Sequence, residues 1–276
     1  MANWKKQALG DLPLYQATNL TWLPGIVQGF TTRRGGVSLP PYASLNLGVH
    51  VGDSLESVTA NRERLWLDLG FNAGQVAMAQ QIHGNEIAVV TGGDPLPVPG
   101  ADALLTDVPD TLLMLLYADC VPVYLVDPVQ RAVGLVHAGW RGTAAGIVGR
   151  SMAAMQEAFG SVPSACLAAI GPCIGGDSYE VGTEVADQFR NFPGGRDAGS
   201  ATAIFPRNEL QGTYLLNLRQ IVFTQLLIAG LKAQYIAVCD QDTYKNKADF
   251  FSHRRDGPKT GRMAAFLAHA KQNGEF

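Results

Sequence analysis

The sequence predicts an α+β fold in a single domain spanning residues 1–276, and three observations carry that reading. Segments of strand character follow one another through the middle of the chain, too close together for helical crossovers. Sheets built from such neighbours must be mixed or mainly antiparallel. Helical periodicity is confined to a few segments. The 276 residues are 47% hydrophobic and 16% charged, the composition of a chain that buries a core. No Ser/Gly-rich linker, charge block or fixed-period repeat divides them.

Taken in order, residues 26–32 read as a strand, and Arg33-Arg34-Gly35-Gly36 turn it into a Pro/Ser/Asn-containing loop ending at Gly48. That loop is long enough to suspect function. Asp53 or Ser54 can cap a helix running to about Leu69, with Leu55, Val58, Leu65 and Leu69 along one side and Gly70 as its stop. Strand-like stretches follow at 76–80, 86–90, 103–106, 112–117, 121–126 and 132–137. Residues 142–159 then read as a helix, 167–170 as a strand and 215–231 as a second long helix. A strand pair near 236–239 and 250–253 is expected to close the chain.

A net charge of −3 supplies no overall positive field, so a nucleic acid or an anionic membrane is not the expected partner. The amino terminus lacks the apolar stretch of a secretory signal. The most apolar run, at 112–117, is of buried-strand length, far short of the roughly 18 residues that span a bilayer. Four cysteines, Cys120, Cys166, Cys173 and Cys239, lack the density of a disulfide framework. The expectation is a cytoplasmic protein with reduced thiols and small-molecule chemistry.

The chemistry concentrates between Tyr117 and Gly142. With a turn at Asp127-Pro128-Val129-Gln130, this stretch folds as a hairpin in which Val126 pairs with Arg131 or Ala132. Counting back places Cys120 opposite His137 or Ala138. Opposed residues have Cβ atoms about 5 Å apart, close enough for a shared metal ion or a thiolate–imidazole pair. His83, in the polar turn Gln80-Gln81-Ile82-His83-Gly84-Asn85, is a third candidate that hairpin counting cannot bring to the other two. One Cys and two His match the donors of an open zinc site, and less well those of a blue copper centre. Taken alone, His83 reads as a turn histidine and Cys120 as a small buried hydrophobe.

Several ordered motifs carry a resemblance. Phe30-Thr31-Thr32-Arg33, Gly35-Gly36-Val37-Ser38, Ser44-Leu45-Asn46-Leu47-Gly48, Gln81-Ile82-His83-Gly84, Ala101-Asp102-Ala103, Ala118-Asp119-Cys120, His137-Ala138-Gly139-Trp140-Arg141-Gly142, Ile170-Gly171-Pro172-Cys173-Ile174 and Phe251-Ser252-His253-Arg254-Arg255 resemble the laccase-domain family. That family was labelled multicopper polyphenol oxidase and is described as zinc purine nucleoside phosphorylases with adenosine deaminase activity. The likeness spans roughly residues 29–266. It implies mixed sheets covered by helices, similar to the catalytic domain of cytotoxic necrotizing factor. It also implies that His83, Cys120 and His137 are zinc ligands and that purine nucleosides and phosphate are substrates. The chain departs from the family at Asp242, where relatives often carry Cys, and at His253, where Tyr is common.

A phosphorylase needs anion-binding groups near the metal. Arg141 and the amides of Gly142 and Thr143 are candidates, with Asn46 and Arg255 beside them and Arg33, Arg34, Arg254 and Arg262 as further basic groups. Deamination needs a proton shuttle, for which Asp119 is one candidate and Glu180 and Asp102 are weaker ones; Asp119 can equally anchor its own turn. Cys173 is expected to pack, and His50 and His269 to be peripheral. Five histidines cannot build the copper cluster of a multicopper oxidase, although a single copper at the three ligands is conceivable. Two further alternatives stay open: a metal-free hydrolase or deamidase using Cys120 and His137, and a zinc-stabilised binding protein.

Overall fold

The computed structural model describes residues 4–92, 97–190, 192, 203–208 and 211–271. The fold is α+β, as expected. Two six-stranded mixed sheets lie face to face, and helices cover their outer faces.

The first sheet contains β1 (Trp4–Leu9), β2 (Leu12–Ala17), β3 (Ile26–Thr31), β4 (Val76–Met78), β7 (Leu112–Tyr117) and β15 (Met263–His269), in the order β1-β2-β3-β15-β7-β4. The second contains β5 (Ile87–Val89), β6 (Ala103–Thr106), β8 (Val121–Asp127), β9 (Ala132–Ala138), β10 (Leu167–Ile170) and β14 (Ile236–Val238), in the order β14-β10-β8-β9-β6-β5. Among the described strands of these two sheets only the pairs β4/β7, β5/β6 and β10/β14 are parallel. A small antiparallel sheet of β11 (Glu180–Gly182), β13 (Thr213–Leu216) and β12 (Ile204–Asn208), with the short helix α4 (Thr183–Asp187) against it, stands apart.

Strand alternation explains the layering. On β7, Leu113, Leu115 and Tyr117 join the core between the sheets, while Leu112, Met114 and Leu116 face outward, where Leu65 of α1 (Leu55–Asp68) covers them. On β9, Val133 and Leu135 point between the sheets and Val136 and Ala138 point outward. The outward pair packs under α3 (Ile147–Phe159) and α5 (Leu218–Ile228). Both central strands are therefore buried on every residue and, His137 apart, carry no polar side chain but the Tyr117 hydroxyl, which is why they read as continuous hydrophobic runs. Hydroxyls stitch the layers: Tyr117 donates to the Val136 carbonyl at 3.0 Å and Tyr124 to that of Gly29 at 2.8 Å.

Several expected elements differ. The helix at 142–159 is two helices, α2 (Trp140–Ala144) and α3, because Gly146 adopts φ 76° between them. The segment 215–231 begins as strand β13, and its helix starts after the Asn217 cap. Residues 250–253 form no strand: Phe250 and Phe251 are core residues and Ser252 caps the short α6 (His253–Asp256). The closing strand is β15, which lies between β3 and β7. Its buried, unalternating sequence gave no period-2 signal. Leu55, expected on the buried side of α1, is exposed, and Asn61 is buried there instead.

Asp249 ties the amino-terminal hairpin to the carboxy-terminal loop, accepting from Lys6 Nζ at 2.6 and 2.7 Å and from Tyr15 OH at 2.8 Å. Burial opposes its ionisation, but Lys6, Tyr15 and Arg34 hold the carboxyl below its ordinary value of 3.8. A depressed folded-state pKa stabilises the protein above the ordinary value and loses that contribution as pH falls through the folded value. Asp249→Asn is therefore expected to cost about 1–3 kcal/mol at neutral pH. The gap between variant and wild type should close below about pH 4, which paired urea titrations against pH would read.

Candidate metal centre

Two of the three candidate ligands sit on connections that cross from one sheet to the other. The chain leaves β4 in the first sheet, turns through His83 and enters β5 in the second. It leaves β7 in the first sheet, passes Cys120 and enters β8 in the second. His137 is the penultimate residue of β9 and points between the sheets, its ring 5.2 Å from that of Tyr117. All three meet at one end of the inter-sheet layer, and their donor atoms lie within 4.8 Å of one another. Among the described residues this is the one group of three or more His, Cys, Asp or Glu side chains placed to hold a metal.

The hairpin expectation needs a correction of register. Asp127 pairs with Ala132 and Val126 with Val133, because Asp127 Oδ1 accepts from the amides of Val129 and Gln130 and closes a four-residue loop. Cys120 lies just beyond the ladder, and continuing the register places it opposite Gly139, where a Cβ would stand 3.2 Å from the Cys120 sulfur. The proximity of Cys120 and His137 survives the shift because both residues sit at the same end of the hairpin.

Asp102 organises the cluster. Its buried carboxylate bonds His137 Nδ1 at 2.8 Å and accepts from the amides of Ile82, His83 and Gly84 at 3.2, 3.0 and 2.7 Å. The first contact leaves Nε2 of His137 for the cluster, the carboxylate–histidine arrangement typical of metal ligands. The other three hold His83 at φ 58°, a conformation that a non-glycine residue keeps only when its surroundings impose it. Gly142 seats the same turn from the far side, since a Cβ there would come within 2.4 Å of the Gly84 carbonyl oxygen.

The electrostatics favour a thiolate. Burial opposes the charge on Cys120, but His137 and His83 outweigh it and bring the pKa down to about 6. Burial likewise opposes a charged His137, yet Cys120 and Asp102 lift it to about 9. The other cysteines are inert by contrast: burial pushes Cys166 and Cys239 up to about 12 and Cys173 upward. Cys173 is fully buried, accepts from Arg219 Nε at 3.3 Å and does not join the cluster, so it packs as expected. Two nitrogens and one sulfur with an open side suit a catalytic metal better than a closed structural one.

That open side faces a cavity of about 990 Å³. Arg141, Arg254 and Arg262 line it; Arg141 lies 4.3 Å over the Trp140 ring and Arg254 5.0 Å over that of Tyr179. His50, expected to be peripheral, lines the cavity too, as does Arg62, which the sequence reading did not single out. Helical position alone marks Arg62 only as a polar residue of α1. His269 lies elsewhere, on β15.

Other expected site residues are placed differently. Asn46 is fully buried: its amide donates to the Gly48 carbonyl and to Asp53, and its oxygen accepts from the amides of Gly48 and Arg262. Arg255 spends all five guanidinium donors on Asp256 and on the carbonyls of Thr243, Tyr244 and Phe250. Neither side chain faces the cavity. Asp119 does line the cavity, but it also anchors its loop, accepting from Thr243 and Ser252 hydroxyls and the Arg254 amide, with both oxygens engaged. Glu180 pairs with Arg207, and Arg33 and Arg34 are held by the Ala43 and Ala248 carbonyls. The Thr143 amide bonds Gly139 within α2 and cannot cradle an anion.

Asp102→Asn is expected to weaken metal binding by about 10–100-fold, because the amide cannot fix both the tautomer of His137 and the His83 turn. Competition against a chromophoric chelator measures it, and unchanged affinity would show that the two histidines are positioned without Asp102.

Residues 27–270 match the family model described as multi-copper polyphenol oxidoreductase laccase. A relative from Geobacillus stearothermophilus, named purine nucleoside phosphorylase YlmD, is 41% identical over 257 residues, covering 90% of this chain and 92% of its own. Another from Escherichia coli strain K12, named purine nucleoside phosphorylase YfiH, is 36% identical and covers 88% of this chain and 93% of its own. The crystal structure of YlmD from Geobacillus stearothermophilus superposes with a TM-score of 0.89 at 39% identity, covering 98% of this chain and 100% of that one. That of the Bacillus licheniformis hypothetical protein YfiH gives 0.87 at 37% identity, covering 94% and 96%. With a matching family model over most of its length and relatives of this identity, the chain belongs to the laccase-like polyphenol oxidoreductase family that includes the YlmD and YfiH proteins.

Proposed function

We propose that the chain is a zinc-dependent purine nucleoside phosphorylase acting on adenosine, inosine, guanosine and methylthioadenosine, and that it also deaminates adenosine. The observation that carries this reading is the His83–Cys120–His137 cluster, open to a cavity of about 990 Å³ that several arginines line. The volume lies at the upper end of small-molecule sites, with room for a nucleoside and an anion together. The names of the relatives point the same way.

Held by His83, Cys120 and His137, zinc would supply Lewis acidity toward the substrate. Phosphorolysis forms a bond between a phosphate oxygen and C1′ of the sugar and breaks the C1′–N9 bond, whose electrons and a proton leave with the purine. Deamination replaces the purine amino group by oxygen from water and releases ammonia. The protein's own part is to bind and orient. Trp66, Val76, Met78 and Leu116 offer an apolar wall for the flat base, and arginines offer donors to phosphate. Asp102 keeps His137 in one tautomer.

A second reading has its own support. Cys120, His137 and Asp102 stand as nucleophile, base and orienting acid, with the thiol poised near pKa 6, which suits a metal-free hydrolase or deamidase. Metal analysis with an assay of adenosine and inosine, with and without phosphate, separates the readings. Phosphate-dependent release of free base that chelation abolishes and zinc restores is the expected result. Activity that survives chelation but dies on thiol alkylation would favour the hydrolase, and copper content with phenol oxidation would favour the family's older label. Release of neither free base nor inosine by a zinc-loaded sample would sink the proposal.

A further inference from the structure

The motif Ser44-Leu45-Asn46-Leu47-Gly48 has no side chain in the cavity, and yet its backbone is tied on both sides to cavity arginines. Leu47 accepts from Arg62 Nε at 2.9 Å through its carbonyl and donates its amide to the Arg262 carbonyl at 3.0 Å. Asn46 Oδ1 takes the Arg262 amide at 2.8 Å. A Cβ at Gly48 would lie 2.8 Å from Arg262 Cγ, so the glycine lets that side chain cross the backbone. The segment is a frame that presents one arginine from α1 and one from the start of β15 to the same wall. His50, two residues on, lines that wall too.

The charge at this wall is only partly offset, by Cys120 and Asp119 acting on Arg262. Neither Arg62 nor Arg262 takes part in an ion pair among the described residues. Arg62 bonds only a carbonyl through Nε, which leaves both terminal nitrogens, and Arg262 uses only Nη1, on the Thr260 and Gly261 carbonyls. Both side chains are partly buried. Burial lowers the Arg62 pKa; burial also lowers that of Arg262, where Cys120 and Asp119 oppose it; and burial with Arg262, Arg62 and His83 lowers that of His50, which therefore feels both arginines. Partly buried guanidinium groups with spare donors and no carboxylate bonded to them are an anion site awaiting its anion.

We infer that Arg62 and Arg262, with His50 beside them, form the binding site for the inorganic phosphate co-substrate. The inference rests on the phosphorylase reading for the role of the anion, but not for its binding. It moves the phosphate from Arg255, whose donors are spent, to the wall that borders His83 and Cys120. Phosphate seated there sits beside the cluster, while the base has the apolar wall of Trp66 and Val76.

The test uses the zinc-loaded full chain, Arg62→Gln and Arg262→Gln, with Arg62→Lys to keep the charge and Arg141→Gln as the competing site. Inorganic phosphate at constant ionic strength should raise the melting temperature of wild type and not of the two glutamine variants, with partial recovery in Arg62→Lys. In base release from inosine, the phosphate KM of the glutamine variants should rise about tenfold or more, the loss of roughly one charge-assisted hydrogen bond, while the inosine KM moves less than about threefold. An unchanged phosphate KM in both variants, or a loss confined to Arg141→Gln, would overturn the assignment and leave the phosphorylase reading intact. Stabilisation by inosine 5′-monophosphate, lost in the variants, with none by inorganic phosphate would overturn the co-substrate role in favour of a nucleotide phosphate. A wild type that releases no base but is stabilised by phosphate through these arginines would sink the phosphorylase reading and keep the site.

Discussion

The carboxylate of Asp102 is the constraint on which the centre depends. It stands at the start of β6, is fully buried, and reaches one histidine by its side chain and the other by its backbone. The Asp102 carbonyl also accepts the His137 amide at 2.7 Å, so β6 fixes His137 by both main chain and side chain. A buried carboxylate needs this many donors to stay ionised. Burial opposes its charge, and the His137 contact and the amides at Gly84 and Ile82 more than restore it, holding the pKa below the ordinary value. Satisfying the acid and positioning the ligands are the same set of bonds.

A second carboxylate does for Cys120 what Asp102 does for the histidines. Asp119 sits at φ 97° and draws Thr243, Ser252 and the Arg254 amide toward the loop that carries the thiol. Its carbonyl takes the Ile174 amide as well. Segments far apart in sequence are thus pinned around one turn, and Arg254 is delivered to the cavity rim as part of the same network. Both strained residues of the site are held by buried acids, which lets the donor atoms be set before any ion arrives.

How much of this could be read in advance depended on the range of the interaction. The helix over α1, with its Ser54 cap and Gly70 stop, and the strands β6 to β10 follow from local pattern, because capping and short apolar runs bounded by turn residues act within a few residues. The nearness of Cys120 and His137 also followed from a hairpin, even though the Asp127 turn shifted its register. Asn46 and Arg255 looked like ligand groups because polar residues in turns often are. In the fold they hold backbone, which no local signal distinguishes from holding substrate. The closing strand β15 was missed because its sequence, MAAFLAH, is rich in alanine and has no β-branched residue, so it carries little local strand signal.

By itself the sequence determined the mixed α+β class, the hairpin that brings a thiol and an imidazole together, and the motifs that resemble one family. The place of His83 beside them, anticipated only through the family resemblance, the role of Asp102, and the presence of His50, Arg62 and Arg262 on the cavity wall were decided by tertiary structure. The reason is physical: these five residues come from five separate segments, and the hairpin of Cys120 and His137 is a sixth. Only the stacking of two sheets, with the chain crossing from one to the other at His83 and again at Cys120, brings them to the same end of the core.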